Sequence, residues 1–172
     1  MHSRGIALFA GTLLACAPAL DWREVRPPGA NVQVQLPCKP AIHARQVTLA
    51  GAAVEMSLYA CSADGVTYAL SHADIGDPAR VGAVLDALAR SARANLGGGL
   101  PRSSAPARVE GMTPIPLAVR LELDGHLPDG RPARESVVVF AYGTRVYQAT
   151  ALGAQLDPAA LDTFLGSLRV RP

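Results

Sequence analysis

Aromatic side chains are scarce in this chain, 5% of 172 residues, and charged ones make up only 17%. Of the 16 basic residues 15 are arginine and one, Lys39, is lysine, leaving a formal net charge of +2. So small an excess excludes a protein held to nucleic acid by electrostatics, and so few rings leave no stacking platform for unpaired bases. Apolar runs are short too. The longest, Gly5 to Ala15, has 11 residues, against about 20 for a membrane-crossing helix. There is no Gly-x-Ser-x-Gly elbow, Walker loop, Gly-x-Gly-x-x-Gly turn or His-Glu-x-x-His pair, so the commonest sequence supports for catalysis are missing. Gly97-Gly98-Gly99 follows a predicted helix instead of opening one and offers no phosphate cradle. What remains is a hydrophobic fraction of 49%, which excludes wholesale disorder. The length suits one domain burying roughly 70% of its unfolded surface.

What is present begins with an address. Met1-His2-Ser3-Arg4 followed by the apolar stretch has the order of a secretory signal peptide. Leu13-Leu14-Ala15-Cys16 resembles the lipobox of bacterial lipoproteins. That resemblance implies removal of residues 1–15, diacylglycerol on the Cys16 sulfur, three acyl chains in all, and a tether over residues 16–21. Three chains exceed the two signals that stable anchoring requires. Ala17 rather than Asp follows the cysteine, so the resemblance implies the outer membrane, with residues 22–172 on the periplasmic side of the envelope. Ala17-Pro18-Ala19 is also an A-x-A pattern, and cleavage after Ala19 would release an unanchored chain.

Three cysteines leave one thiol over in an exported protein. Lipidation of Cys16 resolves this and leaves Cys38 and Cys61, expected to pair in an oxidising compartment. A bridge across these positions stabilises by roughly 3 kcal/mol in the loop-entropy picture. The competing readings are two free thiols, or a metal site from Cys38, His43, Cys61 and His72, whose spacings match no usual zinc pattern. His72, Asp74 and Asp77 form the densest polar cluster, but Asp77 is placed to cap a helix and His72 to end a strand. Tyr59, Tyr68, Tyr142 and Tyr147 could line a cleft, although tyrosine is ordinary packing in strands. No catalytic residue, metal or cofactor is expected.

Periodicity supplies the elements. Trp22–Arg26 reads as a short strand, and Val32, Val34 and Leu36 alternate with polar residues as a half-buried one. Residues 46–50 and 53–60 form a hairpin about Gly51, and Asp64-Gly65 turns the chain into a third strand over 66–71. Asp77-Pro78 opens a helix whose apolar stripe is Val81, Val84, Leu85, Leu88, Ala92 and Leu96. Residues 97–116 hold no periodic pattern and read as a solvated or binding loop. Leu117, Val119, Leu121 and Leu123 alternate as a strand, 134–142 and 145–152 make a hairpin, and Asp157-Pro158 opens a second helix carrying Leu161, Phe164, Leu165 and Leu168.

This order predicts an α+β domain, an antiparallel sheet with helices packed on it. It resembles the PsbP-like α/β/α sandwich. Leu36-Pro37-Cys38-Lys39-Pro40 is similar to the "FPGKP" phrase of such domains, and Arg145-Val146-Tyr147 with Phe164 to Leu168 resembles their ending. The resemblance implies a non-catalytic envelope lipoprotein with a binding or accessory role. Its partners would be the membrane, through Cys16, and an envelope protein. The alternative is a periplasmic domain binding a small ligand or metal through residues 97–116 or the His72 region.

Overall fold

The computed structural model describes residues 20–171, so Cys16, the expected signal peptide and most of the expected tether lie outside the described residues. Ten strands and two helices follow in the order β1 (Arg23–Val25), β2 (Val32–Leu36), β3 (Ala41–Leu49), β4 (Ala52–Ala63), β5 (Val66–Asp74), α1 (Pro78–Asn95), β6 (Ser103–Pro106), β7 (Val119–His126), β8 (Pro132–Tyr142), β9 (Arg145–Gly153), α2 (Pro158–Gly166) and β10 (Arg169–Val170). Seven form one antiparallel sheet in the order β3-β4-β5-β9-β8-β7-β6, and β1-β2-β10 form a small ladder. The ladder and α2 cover one face of the sheet, and α1 packs on the other. The architecture is the α+β one expected, a large antiparallel sheet between packed helices.

Local chemistry sets these elements. Asp64 and Gly65 both take positive φ, 51° and 72°, the two-residue turn whose twist suits a hairpin. The Asp77 carboxylate accepts from the Ala79 amide at 2.9 Å and that of Asp157 from the Ala160 amide at 2.8 Å, with Pro78 and Pro158 next in line. These caps satisfy amides that have no partner inside the helix. All six residues of the α1 stripe are buried.

Two expectations fail. Residues 97–116 are not loop throughout: Ser103–Pro106 pairs with β7 as the sheet's last strand, and Ala107 and Val109 are buried in a segment otherwise largely exposed. Edge strands need not alternate in hydrophobicity when neither face is covered, and all four β6 residues are exposed. The strand expected from Leu117 begins at Val119. Leu117 is exposed and Ala118 buried, because the Ala118 amide closes a turn onto the Ile115 carbonyl at 3.0 Å and shifts the alternation.

Helix α1 leaves much of its face open. Its 18 residues span about 27 Å, but its width is about 10–12 Å, whereas seven strands at ~4.8 Å spacing spread over about 29 Å. The helix ends against β7, where a Cβ on Gly125 would stand 2.0 Å from the Leu96 carbonyl oxygen. Only glycine permits that approach. The helix packs chiefly over β8 and β9 and also meets β7 and β3, and the α1-facing side of β3, β4 and β5 is only partly roofed.

Candidate ligand cleft

The uncovered part of that face is an 840 Å³ cleft between the C-terminal half of α1 and strands β3, β4, β5, β9 and β8. Alternation along each strand selects its lining. Leu58 on β4, Ser71 on β5 and Gln148 on β9 lie in one cross-strand row, and Thr67, Leu152 and Glu135 in another. The helix contributes Leu88, Ser91, Asn95 and Leu96, and Leu127 closes one end. Small residues make the space. Ala69 sits in the floor opposite Ala60, where larger side chains would fill the cleft. The result is an apolar wall over a polar floor, the composition of small-molecule sites.

Glu135 is the floor's one carboxylate and is 4% exposed. It shares its face of β8 with Val137, Val139 and Ala141, all completely buried. Burial pushes its carboxyl up to about 7, and a hydrogen bond from the Thr150 hydroxyl opposes that rise. Gln148 Nε2 donates to Thr150 Oγ1 at 3.2 Å, so a polar row runs along β9 into the cleft. Among the described residues no ion pair reaches Glu135 within 4.0 Å.

The residues singled out from the sequence fall elsewhere. Cys38 and Cys61 are joined in a disulfide with Cα atoms 5.9 Å apart, tying the segment after β2 to β4. Their sulfurs are thereby removed from any metal site. His43 lines the cleft, whereas His72 is on the opposite face, stacked on Tyr59 with ring centroids 6.1 Å apart. The sheet separates them. Nor is His72 an exposed strand end. Strand β5 continues to Asp74, and His72 Nε2 is enclosed without a partner. Burial, then Arg145, push its pKa below the ordinary histidine value.

Asp74 is occupied by the Thr144 hydroxyl at 2.7 Å and the Gly76 amide at 3.0 Å, which hold its carboxyl low with help from Arg145. Among the described residues no three His, Cys, Asp or Glu side chains gather as metal ligands. The four tyrosines also avoid the cleft. Tyr59, Tyr68 and Tyr147 are in the core of the other face, and Tyr142 packs against it. Tyr68 alone of the four borders a hollow, a 500 Å³ depression between the Asp64 turn and the start of α2. The 97–116 segment supplies Arg102 to a smaller, 290 Å³ depression among ion-paired arginines. Sequence reasoning missed Glu135, although its strand parity with Val137 and Val139 was a usable signal.

No protein-family model matches this chain, and no curated protein matches it. Among solved structures it is similar to the crystal structure of PA94 from Pseudomonas aeruginosa, a protein of unknown function. The two are 17% identical, the match covers 81% of this chain and 85% of that one, and the TM-score is 0.41. Neither family nor activity follows at that distance.

Proposed function

We propose that this chain is an exported domain of the bacterial cell envelope, anchored through lipidated Cys16, that binds a small ligand without transforming it. The cleft under α1 carries this reading: 840 Å³ of space with aliphatic walls and a few convergent polar groups is the size and chemistry of a ligand site. The lipobox resemblance at Leu13–Cys16 supports the anchor, and the Cys38–Cys61 disulfide suits an oxidising compartment. A PsbP-like arrangement belongs to the same proposal, supported by the helices packed on both faces of the antiparallel sheet. Binding without catalysis rests on the lining itself. Glu135 and His43 are its acid–base groups, and they stand on strands separated by three others.

Native mass spectrometry of the protein released from envelopes tests the binding. A retained small molecule that is lost in Ala69→Phe, with the fold intact by circular dichroism, is the expected result. Equal spectra for the two proteins, with nothing retained, would count against a ligand site. For the anchor, Cys16→Ser should move the protein from the membrane to the soluble fraction, and unchanged fractionation would remove the lipoprotein reading.

Accessory assembly with an envelope protein is the second reading. Strand β3 is an open edge of nine residues, with Ile42 62% exposed, and such edges accept an added strand.

A further inference from the structure

The unpaired carboxyl at the β8 end of the cleft says what kind of ligand fits it. Among the described residues Glu135 is one of five buried polar or charged ones, and the only acidic one of these. Its nearest help is the neutral Thr150 hydroxyl. Buried carboxylates are ordinarily matched by a cation, because removing an ionised group from water is costly unless opposite charge or several donors replace the lost hydration. On the cleft side the described residues supply neither. Glu135 also borders the 290 Å³ depression on the α2 side, but the arginines there are engaged elsewhere, Arg102 and Arg134 with Asp124 and Arg120 with Glu122. The only other charged or titratable side chains on the cleft lining are His43 and Arg45. Both stand on β3, four strand spacings away, about 19 Å at the usual ~4.8 Å separation. What lies over the intervening floor is aliphatic or neutral: Leu88, Ser91, Asn95 and Leu96 from α1, and Leu127 beyond it.

Resting on the reading of this cleft as a ligand site, we propose that it takes a cationic amphiphile. Its protonated nitrogen docks on the Glu135 carboxylate, and its apolar body lies against Leu58, Leu88, Leu96 and Leu152. The ligand completes an ion pair the fold leaves half-made, and its hydrocarbon covers wall surface otherwise open to water. An anion would meet the Glu135 charge at the β8 end of the cleft and find a counter-charge on the lining only at β3. A neutral ligand would leave the Glu135 carboxylate without an ion pair.

Binding is coupled to the proton on Glu135. The ammonium of an alkylamine stays charged well above neutral pH, as a lysine does at about 10, so pH dependence below neutrality reports the carboxyl. Because burial lifts that carboxyl to about 7, a cation must displace a proton at lower pH, and its affinity falls there.

The test uses n-octylamine, n-octanol and octanoate as probes of equal chain length, titrated calorimetrically into the exported, oxidised protein between pH 5.5 and 8.5. Octylamine should bind about tenfold or more tightly than octanol at pH 8, the strength expected of a charge-assisted hydrogen bond over a neutral one. That preference should shrink below pH 6 with proton release. Glu135→Gln should bind octylamine and octanol alike, with octanol affinity kept. Thr150→Val should move the pH midpoint of octylamine binding upward, and an unmoved midpoint would place the titrating group elsewhere and overturn the proposal. Equal binding of amine and alcohol by the wild type would remove the cation specificity and leave the cleft as a ligand site. So would tightest binding of octanoate, abolished by Arg45→Ala. No binding of any probe, with Ala69→Phe indistinguishable from wild type, would take down both readings.

Discussion

The two faces of the central sheet are made from different residues for different ends. All seven aromatic side chains among the described residues lie on the face closed by β2, α2 and β10. Tyr59, Tyr68, Phe140, Tyr147 and Phe164 are in its core, and Trp22 and Tyr142 pack against it. Phe140 and Tyr147 stack with ring centroids 4.8 Å apart, and Tyr68 meets Phe164 edge-on at 5.3 Å. The α1 face has an aliphatic core and, beyond the helix, aliphatic residues with alanine, serine, threonine, glutamine, one glutamate and, on β3, His43 and Arg45. Large rings fill space between layers, whereas small and short polar residues leave it. One face is built for stability. The other gives up burial and gains a cleft.

The largest contrast should come from Phe164→Ala on the closed face. Phe164 is completely buried, and its loss should cost about 3–5 kcal/mol in urea unfolding. A loss under 1 kcal/mol would mean that the rings do not carry the stability of this face. Next, replacing both Cys38 and Cys61 with alanine should cost roughly 3 kcal/mol, because the bridge ties the β2 layer to the main sheet. Octanol binding should survive under native conditions, since the cleft is on the other side.

Glu135→Gln should act in the opposite direction and only at high pH. The carboxyl has its pKa raised from 4.5 to about 7. Between those values the folded protein holds a proton that the unfolded chain has lost, so stability falls as pH rises through the window. At pH 8 the accumulated penalty is about 3 kcal/mol, and below pH 4 it vanishes. The variant should therefore be more stable than wild type at pH 8 and equal to it near pH 4. Equal stability at both pH values would show that Glu135 is solvated in the folded state. The smallest effect belongs to the open face. Leu58→Ala, at a half-buried position, should change stability by less than about 1 kcal/mol yet weaken octanol measurably. A larger loss of stability would make the cleft wall part of the core.

Legibility in the sequence followed the same division. Period-two alternation announces β2, β5 and most of β4, which bury side chains, but only residues 46–49 of β3, because no β3 side chain is buried. The Asp-Pro starts announced both helices, because capping is a local matter of one carboxylate and the amides beside it. The 97–116 segment was misread, because β6 owes its place to the free edge of β7 and to no pattern of its own. His72 was read as exposed, because Tyr59 and Arg145, which enclose it, arrive from other strands. The cysteine pair is legible through the expectation of export and through arithmetic, while the metal alternative fails on a fact of topology: His43 and His72 are on opposite sides of one sheet.

By itself the sequence determined most of the elements, their caps and the α+β class, and it favoured the pairing of Cys38 with Cys61. These follow from local backbone preferences, hydrophobic period and thiol chemistry, all of which act over short stretches or by exclusion. Only the tertiary structure decided that one helix would roof a seven-stranded sheet, that Gly125 would bring its end against β7, and that Glu135 would be shut beneath it without a cation. Those outcomes depend on the width of a helix against the width of a sheet and on side chains distant in sequence. The alanine excess, 31 of 172 residues, acquires a meaning the same way. At Ala69, in the floor of the cleft, the absence of a larger side chain is what leaves room for a ligand.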